Sequence, residues 1–164
     1  MTAPLISGKG RRIGAALGAV SAGLLVLSAC DKPTPLATVT VGSSTVSTEA
    51  ACSADGGKEL SQEKVADCLA SIKAGKTIDY ARGDTLRLGV EPEVVEDGKT
   101  WQAVLDGQPI TEPSSNTYRS FPGADVFATG GQGEAPASKK LAFIQLGEDK
   151  KPLAVWSFTL KLKN

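Results

Sequence analysis

The chain contains no histidine. Imidazole is the usual general base and the commonest metal ligand near neutral pH, so a Ser-His-Asp triad and histidine-held zinc or copper sites are excluded at the outset. Aromatic side chains are scarce at 5%, and there is one methionine. The most apolar run, Ala15 to Leu27, is broken by Gly18, Ser21 and Gly23. A helix crossing roughly 30 Å of hydrocarbon needs about 20 apolar residues, which speaks against a permanent transmembrane anchor here. There is no excess of either charge, because 18 basic residues balance 18 acidic ones.

Fragments of catalytic motifs are present but incomplete. Ser61 and Lys64 match a Ser-x-x-Lys spacing, in which a lysine one helical turn away activates the serine. The chain is about half the length such folds need, and a serine heading a short helix explains the spacing as a cap. Gly75-Lys76-Thr77 and Gly98-Lys99-Thr100 look like the end of a phosphate-binding loop, yet the glycine required five positions earlier is Ala70 in one and Glu93 in the other. Glu91, Glu93, Glu96 and Asp97 form an acidic cluster without the alternating order of a calcium loop. This cluster is the best candidate site for the alternative function, a small envelope hydrolase using paired carboxylates. No catalytic residue, metal ligand or cofactor is assigned.

What is present at the N-terminus is an address. Lys9, Arg11 and Arg12 precede the apolar run with no acid among the first fourteen residues, the layout of an export signal. Leu27-Ser28-Ala29-Cys30 then closes the run, and Asp31-Lys32-Pro33-Thr34-Pro35 follows as a tether. Small residues ahead of a cysteine suit the enzymes that alkylate its thiol, and these four residues closely resemble the bacterial lipobox. The other reading, an ordinary signal peptide whose Cys30 enters a disulfide, does not account for a cysteine at the end of the apolar run. The resemblance implies cleavage after Ala29, with residues 1–29 as leader, 30–35 as lipidated tether and 36–164 as one domain. It further implies a diacylglyceryl group and an N-acyl chain such as palmitate on Cys30, which would anchor the domain on the extracytoplasmic face of the cell membrane. Losing Lys9, Arg11 and Arg12 with the leader leaves the mature chain with three more acids than bases. It has no basic tract, and so no electrostatic footprint for nucleic acid. Assigning Cys30 to lipid leaves Cys52 and Cys68 as a pair in an oxidising compartment, which predicts a disulfide between them.

The mature chain is patterned for strands. Residues 36–41 alternate β-favouring side chains, Gly42-Ser43-Ser44 turns them and 45–48 return, which predicts a hairpin or a sheet-switching corner. Ser61 to Lys64 start a short helix near 61–73, with Val65, Leu69 and Ile72 at helical spacing and Gly75 as its stop. Ile78 and Tyr80, then Leu86, Leu88 and Val90, follow a period of two. Trp101–Leu105 lies between Asp-Gly turns, and 141–146 with 153–162 form the clearest hairpin, with Trp156, Phe158, Leu160 and Leu162 facing the core. About seven short strands predict a mainly β fold, an antiparallel sandwich resembling the immunoglobulin-like class. The Cys52–Cys68 pair does not match that class's bridge between sheets.

Residues 109–136, rich in Ser, Thr, Gly and Pro, form a long connection that holds Tyr118, Phe121 and Phe127. Loops carry function more often than strands, so these aromatics form the candidate binding loop. The whole resembles the small lipoproteins of Gram-positive actinobacteria and implies a membrane location. The expected function is a noncatalytic, envelope-associated module for a protein, peptide or glycan.

Overall fold

In the chain's first strand, β1 (Ala37–Val41), Ala37, Val39 and Val41 are buried while Thr38 and Thr40 face outward. Here and below the structure is a computed structural model, which describes residues 34–54, 58–70, 75–128 and 134–163. Residues 1–33, with the expected export signal and Cys30, lie outside the described residues. Gly42 takes the left-handed φ of 55° that the turn requires, and β2 (Ser44–Thr48) returns antiparallel to β1. Hydroxyl pairs on the outer face, Thr38 with Ser47 at 2.8 Å and Thr40 with Thr45 at 2.9 Å, tie this hairpin. On the other side of β1 lies β5 (Leu86–Val90), whose Leu86, Leu88 and Val90 join the buried face. Beyond β5 is β8 (Tyr118–Phe121), so the first sheet runs β2-β1-β5-β8.

The facing sheet is built on the hairpin of β9 (Ser138–Leu146) and β10 (Pro152–Leu162). β6 (Thr100–Leu105) flanks β9, and the short β7 (Gln108–Pro109) flanks β6. Trp156, Phe158 and Leu160 point into the sandwich as expected, with Leu162 at its rim. Trp101 and Phe143 pack at 4.9 Å and Phe143 and Phe158 at 5.4 Å between ring centroids. Offset aromatic pairs at such distances add about 0.5–1.5 kcal/mol beyond the area they bury.

Two features differ from the expected antiparallel sandwich. β4 (Lys76–Tyr80) runs parallel to β10, with Ile78 opposite Leu160. Its start lies so close to β10 that a Cβ at Gly75 would collide with the Ser157 carbonyl, so glycine is needed there. The outer face of β10 is also dry. Val155 and Ser157 are both buried there, and helix α1 (Gln62–Ala70) lies over Val155, with Leu60, Cys68 and Ala142 completing a second small core. Ser61 caps the helix, its Oγ accepting the Lys64 N–H at 3.2 Å. Residues 71–74, including Ile72, lie outside the described residues. The disulfide joins Cys68 on α1 to Cys52 on β3 (Cys52–Ser53), with a Cα separation of 6.2 Å. It therefore clamps the helix to the second sheet and does not cross between sheets.

The order β1-β5-β8 facing β10-β9-β6 is the strand arrangement of the immunoglobulin-like sandwich, and β4 along β10 completes it. The first strand of that plan is divided here: β1 serves one sheet, β4 the other, and β2, β3 and α1 are inserted between them.

Thr34 and Pro35, expected in the lipidated tether, are hydrogen-bonded to the sandwich. Thr34 Oγ1 accepts the Ala50 N–H at 3.0 Å, and the Pro35 carbonyl accepts the indole N–H of buried Trp156 at 2.8 Å. A buried indole needs an acceptor, and this backbone oxygen supplies it. Leu36 exchanges bonds with Glu91, donating to its carboxylate at 2.7 Å and accepting from its N–H at 3.0 Å.

Candidate functional site

Strand β8 comes from the serine- and threonine-rich connection, where its four residues are too few to give a clear periodic signal. It pairs with β5 alone among the described strands, so its other edge ends the sheet. The Val90 N–H donates to the Thr117 carbonyl at 2.9 Å, which fixes the parity of this antiparallel ladder. Leu88–Arg119 and Leu86–Phe121 are then hydrogen-bonded pairs, and the backbone groups of Tyr118 and Ser120 point toward the open edge. Tyr118 is 52% exposed and is the one exposed large hydrophobic residue among the described residues. Arg119 faces inward beside Leu88, and its Nε is buried without a hydrogen-bond partner. An inward-pointing charge on an edge strand blunts indiscriminate strand pairing.

The three candidate aromatics do not form one surface. Phe121 packs at the rim of the core, and Phe127 is fully buried. The Phe127 ring lies 5.6 Å from that of Tyr80, and the Lys139 ammonium stands 5.9 Å from its centroid. Phe127 is thus a core residue supplied by a loop, and its assignment to a binding surface is corrected. Composition concealed this, because the glycine-rich residues that follow it look like an open loop.

The acidic cluster lies on a 3-10 turn, Pro92–Val94, and the bends after it. Val94 is buried beneath the turn, and its carbonyl accepts the Gln145 side chain at 2.7 Å. Glu91 is engaged by Leu36, whereas Glu93, Glu96 and Asp97 are exposed, with Lys99 at 3.4 Å from Asp97. Turn geometry and solvent explain these carboxylates. Among the described residues, clefts lie elsewhere. One of about 490 Å³ runs along α1 between Leu69 and Val104, and a second of about 320 Å³ lies on the other side of the helix against Ile144 and Leu146. A polar one of about 440 Å³ opens between β2 and β4, with Asp79, Asp84 and Lys163 at its walls. None of the three is lined by the 91–97 carboxylates. Among the described residues, no three carboxylate or cysteine side chains converge on a point that could hold a metal ion. Ser61 is occupied as a helix cap and Lys64 is exposed, so they form no catalytic pair.

Titration is perturbed at Tyr80, a core residue. Burial raises its phenol above the ordinary value of 10.0, the nearby Val126 backbone opposes this, and Asp125 and Asp84 push it further up. Its hydroxyl donates to the Ala124 carbonyl. A raised folded-state value stabilises the fold below the unfolded pKa, and that contribution is lost as pH rises through the folded value. Stability should therefore fall as pH rises past about 10, and Tyr80→Phe should flatten that alkaline fall in urea midpoints. An unchanged alkaline slope in the variant would contradict this. At the surface, Lys151 is raised by Glu59 and Asp149, and Asp149 is lowered by the Lys151 backbone and ammonium. This ion-pair trio fastens the β9–β10 turn to the approach to α1.

No protein-family model and no curated protein matches this chain. Among solved structures it is similar to the fibronectin(III)-like modules of Clostridium thermocellum CbhA, at 9% identity and a TM-score of 0.37, over 56% of this chain and 92% of that one. It is also similar to the extracellular domain of a putative hybrid two-component system from B. thetaiotaomicron, at 9% identity and a TM-score of 0.41. That match covers 81% of this chain, which spans 16% of the other.

Proposed function

We propose that this protein is a lipid-anchored, noncatalytic binding module on the extracytoplasmic face of the membrane, which takes an extended peptide segment of an envelope protein along the open edge of β8. The observation that carries this reading is Tyr118 standing exposed on that edge, with the backbone of Tyr118 and Ser120 directed away from β5. A peptide added as a further strand would gain main-chain hydrogen bonds there, and a tyrosine supplies a large contact area at low entropic cost. The Arg119 guanidinium beside the edge would donate to a carbonyl or carboxylate of the incoming strand. The other edge of this sheet, β2, offers Ser44, Thr45 and Ser47, whose hydroxyls are largely taken up within the hairpin. Anchoring through Cys30 rests on the lipobox resemblance of residues 27–30.

The test uses the full chain in its own membrane, with a photoreactive residue replacing Ser120 or, as control, Thr45. A discrete adduct is expected at position 120 and not at 45. A second change, Tyr118→Ala, should lower the adduct about thirtyfold, corresponding to the roughly 2 kcal/mol of a binding hot spot. Equal adducts at both edges, or an adduct insensitive to Tyr118→Ala, would overturn the edge as the recognition surface.

A further inference from the structure

The residues that follow the lipobox are fixed to the domain almost at once. Thr34, Pro35 and Leu36 are each hydrogen-bonded to a different part of the sandwich: Ala50, Trp156 and Glu91. Four residue steps separate Cys30 from Thr34, a reach of about 14 Å at most. From Leu36 to the β1–β2 turn at Gly42, the strand rises roughly 20 Å, at about 3.3 Å per residue. The far end of the sandwich, with the turns at Ser43 and Gly83, therefore lies farther from Thr34 than the tether can extend.

We propose that the near end, made by Thr34 to Leu36, Glu91 and the turn through Asp97, is a membrane-contact surface whose partner is the lipid headgroup layer. This rests on the lipidation of Cys30 put forward above. The tether sets the orientation, and the fold sets which surfaces then face outward: the Ser43 and Gly83 turns and the polar cleft between β2 and β4. The strands of the first sheet stand away from the bilayer with the β8 edge accessible along its flank.

Charge makes the point sharper, because it favours the reverse. Glu91, Glu93, Glu96 and Asp97 crowd the near end, whereas at the far end Arg82 and Lys163 are paired with Asp125 and Asp79 and Lys161 stands exposed. An anionic leaflet attracts bases and repels acids within a Debye length of about 8 Å at physiological salt. A domain free to rotate would turn its acidic near end away from such a membrane. A tether of four residue steps prevents that by holding Thr34 within about 14 Å of the anchor.

The experiment uses full-length, lipidated protein reconstituted in vesicles of phosphatidylcholine with a minority of phosphatidylglycerol and a headgroup-attached energy acceptor. A donor dye is placed on Glu96→Cys or Ser43→Cys, both exposed positions. Transfer should be several-fold more efficient from position 96. Inserting a flexible Gly/Ser segment of about 20 residues after Cys30, with a root-mean-square span near 25 Å, should erase or invert that difference. Equal transfer from both sites with the native tether would overturn the proposal. So would a preference for position 96 that survives the insertion, since the tether would then not be the orienting element. Protein that fails to stay with the vesicles would overturn the lipidation reading itself, a failure distinguishable from a vesicle-bound domain in the wrong orientation.

Discussion

Replacing Phe127 by alanine is expected to destabilise the domain by about 3–5 kcal/mol, the range for truncating a fully buried phenylalanine. Phe127 has no accessible surface, stacks on Tyr80 and lies under the Lys139 ammonium. Its backbone N–H is also held by the Asp125 carboxylate at 3.1 Å, and Asp125 pairs with Arg82 at 2.8 Å. Removing the ring leaves a cavity beside Tyr80 and loosens the chain around Ala124, whose carbonyl receives the Tyr80 hydroxyl. Tyr118→Ala, from the same connection, should change stability by no more than about 0.5 kcal/mol, because its side chain is half exposed. Urea unfolding of both variants checks the contrast. A loss below about 1 kcal/mol for Phe127→Ala would show that the loop does not contribute to the core.

The second large effect belongs to the disulfide. Cys52 and Cys68 are 16 residues apart, and a crosslink of that span stabilises by about 3 kcal/mol in the chain-entropy model. The double variant Cys52→Ala/Cys68→Ala should lower the melting temperature by about 10 °C for a domain of this size. The loss should be local first. α1 is held to the second sheet through Leu60, Cys68 and Val155, a core much smaller than the one between the sheets. Hydrogen exchange should therefore accelerate in α1 and β3 well before β9 and β10. Uniform acceleration across both sheets would contradict the picture of a clamp on an outer helix.

Much of this arrangement could be read from local patterns. Alternation in Ala37–Val41 and Leu86–Val90 gave both the strands and their buried faces, since one face of each is dry and the other is wet. Ser61 marked the helix start because its hydroxyl has a specific local task. The cysteine pair followed from parity, once Cys30 was set aside for lipid. Other features depend on distant partners. Ile78 and Tyr80 alternate whether β4 runs parallel or antiparallel, and only packing against β10 settles it. Val155 looks like a solvent-facing position until α1 covers it. β8 escaped notice because Tyr118-Arg119-Ser120-Phe121 places an arginine on the inward side of a four-residue strand. In the candidate loop Tyr118 is exposed, whereas Phe127 is a core residue, because composition reports the setting of a residue and not the direction of its ring.

The account stands on Cys30 being the lipid-bearing first residue of the mature chain. Intact and fragment mass spectrometry of the protein extracted from membranes measures this directly. The predicted result is an N-terminal fragment beginning at Cys30 and carrying a thioether-linked diacylglyceryl group. Cleavage at another position, or a Cys30 without lipid, would contradict it.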